Sequence, residues 1–230
     1  MREIHVLFLA GDYWHPVEIV NRGLASFGEL LSGIRIDVVE DAKDVLTPEM
    51  LNQYDVCVCA KANEISAANR NPWFEAGVTE VTPQVIRNWI SEGHGFLSLH
   101  AGNSFYAEDK GNPIFDEPNW DYIRLVGNSF NSHPPRCLVT YTHLKEHPVL
   151  RGVEQFTERD EHYHLDHLAD DNDVFMISTS ETGLEQPAGY ERKIGNGRLI
   201  VLTPGHTLAV WQNTSFQQML SNTLRYLAGS

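Results

Sequence analysis

Basic residues are scarce in this sequence. Seventeen Lys and Arg stand against 31 Asp and Glu, so the 230-residue chain carries a formal charge of −14 with its histidines neutral. A surface that acidic repels phosphate backbones and anionic bilayers, which argues against nucleic acid or a membrane as partner. Cysteine is scarcer still. Cys57, Cys59 and Cys137 are too few for a disulfide framework, and Cys57-Val58-Cys59 lacks the two-residue spacing of a redox or zinc motif. They read as reduced thiols, as expected of a cytoplasmic protein. No apolar run approaches the ~18 residues of a membrane span. The Met1-Arg2-Glu3-Ile4 start has no signal-peptide design, and neither a repeat nor a low-complexity tract is visible. What is present suits a folded core: 42% hydrophobic and 21% charged residues, in a length that fits a single α/β domain over residues 1–230. Histidine is plentiful. There are eleven, and six of them fall between His133 and His167.

The apolar pattern alternates strand and helix signals. Ile4–Ala10, stopped by Gly11, is short and apolar throughout, as a strand buried on both faces must be. Val17, Val20, Leu24, Phe27, Leu30 and Leu31 keep helical spacing behind Pro16. Ile34–Val39 and Val56–Ala60 read as further strands, with Thr47-Pro48 between them as helix cap and first helical residue. This order predicts a doubly wound, mostly parallel sheet with helices on both faces. Asn63–Val81 breaks the rhythm as a long loop. A helix then starts at Thr82-Pro83, a strand covers Gly95–His100, and an irregular segment runs to Pro118. A short helix, Trp120–Val126, closes at Gly127. In the second half, Cys137–Tyr141 and Val174–Ser178 are strand-like. Gly189–Ile194 and Arg198–Thr203 flank a hairpin turn at Gly195-Asn196-Gly197, and Phe216–Leu227 is an amphipathic helix.

In open α/β sheets, ligands bind at the carboxyl ends of the parallel strands. Three such ends carry a His beside a Gly: Gly11-Asp12-Tyr13-Trp14-His15, His100-Ala101-Gly102-Asn103 and Pro204-Gly205-His206-Thr207. The repetition predicts one shared pocket. Ser98-Leu99-His100-Ala101-Gly102 has the shape of a nucleophile elbow, a sharp strand-to-helix turn between small residues. It places His where Ser or Cys would attack, which disfavours a covalent acyl-enzyme. With the three cysteines inside strands, a glutaminase is not expected. Asp160-Glu161-His162-Tyr163-His164 sets two carboxylates beside an aromatic ring and two His, a source of a general base or of metal ligands. On an extended segment Glu161 and Tyr163 share one side, and Asp160, His162 and His164 the other. No His spacing matches HExxH.

The ordered series Gly93–His100, Trp120–Phe130, His133-Pro134, His147-Pro148-Val149, Asp160–Tyr163, Gly195–Arg198, Pro204-Gly205-His206 and Trp211 resembles the ThuA-like family of trehalose-utilisation proteins over nearly the whole chain. The resemblance implies a flavodoxin-like fold similar to the class I glutamine amidotransferases, with the amidotransferase nucleophile lost. It implies action on a small-molecule sugar, trehalose or a related keto-disaccharide. Carried over by position, His100, Glu161 and His206 would be catalytic. Asp12, Trp14, His15, Asn103, Tyr106, Trp120, His133, Asp160 and Tyr163 would contact the substrate. If a divalent metal such as zinc is bound, His100, Glu161 and His206 would hold it. Two departures stand against the metal: Asn63–Val81 has no His pair, and Asn103 stands where some relatives place a further His. Three readings result. One is acid–base catalysis on a keto-sugar, the second a metal-dependent hydrolase, the third a sugar-binding or regulatory module without turnover. A homo-oligomer is left open.

Overall fold

Strand and turn signals in the sequence are met closely in the computed structural model, which describes residues 2–43, 45–64, 72–75, 77–107 and 119–229. Parts of the loop expected over 63–81 and of the segment to Pro118 lie outside the described residues. The strands are β1 (Ile4–Ala10), β2 (Ile34–Val39), β3 (Val56–Ala60), β4 (Gly95–Leu99), β5 (Ser129–Ser132), β6 (Cys137–His143), β7 (Phe156–Asp160), β8 (His164–Asp166), β9 (Asp173–Ser180), β10 (Glu185–Ile194) and β11 (Gly197–Leu202). The helices are α1 (Val17–Leu24), α2 (Pro48–Leu51), α3 (Pro83–Ser91), α4 (Trp120–Val126), α5 (Leu208–Gln212) and α6 (Thr214–Leu227).

Nine strands form one sheet in the order β2-β1-β3-β4-β11-β10-β9-β6-β7. The pairings from β2 to β11 are all parallel. From β11 onward direction alternates strand by strand. The sheet is therefore mixed, a five-stranded parallel half continued by four antiparallel strands, while β5 and β8 pair separately. The hairpin expected at Gly195-Asn196 makes the switch, joining Ile194 to Gly197.

Both faces of the parallel half are covered, which explains strands without polar alternation. Ile4, Val6, Phe8 and Ala10 belong to a core with Val20 of α1, Trp211 of α5 and Phe216 and Leu220 of α6. Leu7 and Leu9 belong to the opposite core with Ile86, Trp89 and Ile90 of α3 and Tyr122 of α4. Thr47, Thr82, Asn119 and Asn213 cap helices with their side chains. The single helix expected over Val17–Leu31 is broken. Gly28 takes φ +53, a left-handed value no continuous helix admits, and a short 3-10 turn follows at Gly28–Leu31. Similarly, β4 ends at Leu99 rather than His100, because His100 turns to φ +44. Among the described residues, no helix is long and apolar enough to cross a membrane.

The turn after β4 is packed without slack. A Cβ on Gly102 would lie 2.1 Å from the carbonyl oxygen of Cys59 in β3. Gly102→Ala is expected to cost about 1–3 kcal/mol or more. Urea unfolding checks this, and an unchanged midpoint would contradict the packing described.

Candidate functional site

Each of the three His-bearing strand ends is fixed by a buried polar side chain. After β1, Asp12 Oδ1 accepts the backbone N–H groups of Trp14 (2.8 Å) and His15 (2.9 Å). It also accepts the His15 Nδ1 proton at 2.7 Å, while Oδ2 accepts from Ala62 N at 2.8 Å beyond β3. After β4, His100 donates its Nδ1 proton to the Thr203 carbonyl at 2.8 Å. Asn103 holds that turn: its Oδ1 accepts from Ser98 Oγ, and its amide donates to the carbonyls of Ser98, His100 and Leu202. After β11, the Gly205 and His206 N–H groups donate to the two oxygens of Asp160, each at 2.9 Å, and Tyr141 OH donates to the same carboxylate at 2.8 Å. That clamp ties the end of β7 to the end of β11 and sets Glu161, the next residue, over the sheet edge.

Four side chains then meet. Glu161 Oε2 lies 3.1 Å from His206 Nδ1, 3.5 Å from His100 Nε2 and 3.9 Å from His15 Nε2, and His100 Nε2 lies 3.4 Å from His206 Nδ1. One donor atom from each of His15, His100, Glu161 and His206 lies within 4.8 Å of all the others. A tetrahedral ion with bonds of ~2.1 Å separates its donors by about 3.4 Å, so the spacing fits a divalent cation such as zinc. The tautomers fit as well. His15 and His100 give their Nδ1 protons to a carboxylate and a carbonyl, which frees Nε2 to face the centre, the usual outer support of metal-bound imidazole.

Burial opposes the charged form of His15, but Asp12 and Glu161 outweigh it and push its pKa up to about 10. Burial likewise works against ionised Glu161, yet hydrogen bonds from His100, His15 and His206 hold it far below the usual carboxylate range. His206 is lowered, chiefly by burial and by His100, against the pull of Glu161. In the metal-free site a proton on His15 thus balances the two carboxylates, and a divalent cation would have to displace it.

The cluster opens into a cavity of about 750 Å³, within the ~300–1,000 Å³ range of small-molecule sites. Trp14, Pro16 and Ile19 form one wall; Ser104, Tyr106, Phe130 and Tyr163 form another. Glu64, His133, Arg136, Thr207 and Leu208 complete the lining. Tyr163 OH accepts from Ser104 Oγ at 3.1 Å and lies 3.3 Å from His100 Nε2. His133 Nε2 is 3.6 Å from Glu161 Oε1. Trp14 is 51% exposed at the mouth, edge-on to the equally exposed Tyr13. Another concavity, of about 680 Å³ along His143–Pro148, shares no residue with the cluster.

The family model for ThuA, described as trehalose utilisation, matches residues 5–227. The chain belongs to the ThuA family. Solved structures share the fold. A ThuA-like protein from Parabacteroides merdae matches with a TM-score of 0.72 at 17% identity, over 99% of this chain and 90% of its own. One from Bacteroides uniformis also gives 0.72 at 17%, over 98% and 91%. A protein described as cytoplasmic, from Salmonella typhimurium, gives 0.65 at 15%, over 97% and 99%. No curated protein matches the sequence.

Within this ThuA-family site the expected residues divide. His100, Glu161 and His206 come together, and His15, expected as a sugar contact, joins them as a fourth donor. Trp14, Tyr106, His133 and Tyr163 line the cavity. Asp12, Asn103 and Asp160, expected as sugar contacts, lie outside the cavity lining. They are buried, and their polar atoms are taken up in fixing His15, the β4 turn and His206. Trp120 is not in the lining either; it is 39% exposed and packs edge-on to His167. Glu64, Ser104, Phe130 and Arg136 line the cavity without having been expected as substrate contacts.

The His15–Asp12 pair couples this ThuA-family site to folding. The imidazole stands near 6.5 when unfolded and about 10 when folded, so its stabilisation is complete below pH 6.5 and is lost as pH rises through 10. Thermal melts of metal-free protein are expected to fall across that window, and less steeply in His15→Gln. An unchanged slope in the variant would contradict the pairing.

Proposed function

We propose that this ThuA-family chain is a carbohydrate-metabolising enzyme that cleaves a trehalose-related disaccharide in its keto form, with no covalent enzyme intermediate. A divalent cation such as zinc would be held by His15, His100, Glu161 and His206. The observation that carries this reading is the meeting of those four donors, of which His15, Glu161 and His206 line a disaccharide-sized cavity and His100 is buried against them. The family description supplies the substrate class.

The cation, when bound, supplies Lewis acidity toward a sugar or water oxygen. The chain's own residues do the rest. Trp14 offers an aromatic face at the mouth on which a pyranose ring stacks. Tyr163 OH, which bonds to Ser104 and lies against His100 Nε2, lines the cavity as a hydrogen-bonding group for a substrate oxygen. His133, exposed on the rim beside Glu161, offers a further proton carrier. Among the described residues, no Ser or Cys stands at the elbow. His100 occupies the elbow, and the three cysteines are buried in strands, with burial pushing the Cys59 thiol up to about 11. We read the parallel half as flavodoxin-like and of the class I glutamine amidotransferase kind. The left-handed His100 between β4 and the turn at His100–Asn103 supports that reading, since nucleophile elbows share that strain.

Turnover of keto-trehalose tests the proposal. A chelator is expected to abolish it and added zinc or manganese to restore it, while His100→Ala and Glu161→Gln lose at least about 10²-fold in kcat/KM. Full turnover in both variants contradicts the proposal. Saturable sugar binding with no product leaves the module without turnover as the better reading.

A further inference from the structure

Among the described residues, Glu64 is the one cavity-lining carboxyl that neither holds the fold nor joins the four donors. It follows β3 on a segment held from two sides. Ala62 N donates to Asp12, and the Asn63 side chain clamps Phe74 through two hydrogen bonds, Nδ2 to the carbonyl at 3.1 Å and Phe74 N to Oδ1 at 2.7 Å. This places Glu64 at the same sheet edge as the cluster, in the cavity wall. Its residue is only 5% exposed, and Oε2 is buried with no hydrogen-bond partner among the described residues. Lys61, the nearby cation on the same segment, points elsewhere and donates to the Glu40 carbonyl at 2.8 Å. A buried carboxylate without a partner is costly, whereas the neutral acid is tolerated. The facing carboxylates act in the same direction, and His15 against it. Burial first, then the charges of Asp12 and Glu161, opposed by His15, push Glu64 up to about 8, and Tyr106 beside it is pushed up to about 12. Neutral carboxyls in dry pockets of this kind serve as proton donors.

We propose that Glu64 is a catalytic residue of this cavity, the acid that protonates the departing sugar oxygen. The proposal rests on the cleavage reading above. The glycosidic C–O bond breaks with its electron pair on the departing oxygen, which takes the Glu64 proton. Water adds its oxygen to the anomeric carbon and releases a proton to solvent, and Glu64 takes one back. The sum is disaccharide plus water giving two sugars, with no redox change.

The test compares wild type with Glu64→Gln on two substrates, keto-trehalose and an aryl glucoside in the same keto form, whose phenolate departs without help. Glu64→Gln is expected to lose about 10²–10⁴-fold in kcat/KM on the disaccharide and little on the aryl sugar. It should keep its bound metal and melt no lower than wild type at pH 9, where the native carboxyl is ionised and unpaired. An equal loss on both substrates, no loss on either, or loss of the metal overturns the proposal. The carboxyl is also read directly, as the ¹³C NMR signal of glutamate-labelled protein that is missing from Glu64→Gln. Its midpoint is expected well above the ordinary value of about 4.3, and an ordinary midpoint overturns the proposal. Wild type inert toward both sugars overturns the cleavage reading and this proposal with it, whereas an active wild type with an ordinary Glu64 midpoint overturns the proposal alone.

Discussion

Two buried carboxylates, Asp12 and Asp160, hold the site together. Each is taken out of water, at a cost that only saturated hydrogen bonding offsets. Each meets that condition by accepting backbone N–H groups where a strand ends. Asp12 gathers Trp14, His15 and Ala62, so the ends of β1 and β3 cannot drift apart. Asp160 gathers Gly205 and His206, so β7 from the antiparallel half is fastened to the last parallel strand. Removing one partner of such a buried charge typically costs about 3–5 kcal/mol. The same bonds that stabilise the loops therefore fix the imidazoles, and the positions of His15, His206 and Glu161 follow from them.

The mixed sheet makes this possible. A purely parallel sheet would bring His15, His100 and His206 to one edge but would leave that edge open to water. The antiparallel extension returns the chain across it and delivers Glu161 and Tyr163 from the far side. Protein donors then converge from four separate loops. Donors spread over the chain in this way are held rigidly only if each loop is anchored by itself, which is what Asp12, Asn103 and Asp160 accomplish.

Much of this was legible in the sequence, and the exceptions have physical reasons. β1, β3 and β4 were readable because doubly buried strands are apolar throughout. α4 and its Gly127 cap matched residue for residue. β7 escaped notice because Phe156-Thr157-Glu158-Arg159-Asp160 is mostly polar and lies at the sheet edge, where no alternation is required. The three histidines of the cluster stood out at predicted strand ends, and Glu161 in the acidic, His-rich run Asp160–His164. Their division into donors and supports did not, because a sequence shows that Asp12 and Asp160 are polar but not that their oxygens are already occupied. Glu64 is the extreme case. Its interest lies in a missing partner, which only the folded arrangement reveals.

The central claim is that His15, His100, Glu161 and His206 form one cation site. A crystal structure of the protein grown with zinc or manganese, with data collected at the metal's absorption edge, tests it most directly. The account predicts one anomalous peak per chain between Glu161 Oε2 and the three facing imidazole nitrogens, with Asp12 still bonded to His15 Nδ1. A map with no peak among those four donors, from protein that took up no metal, would contradict it.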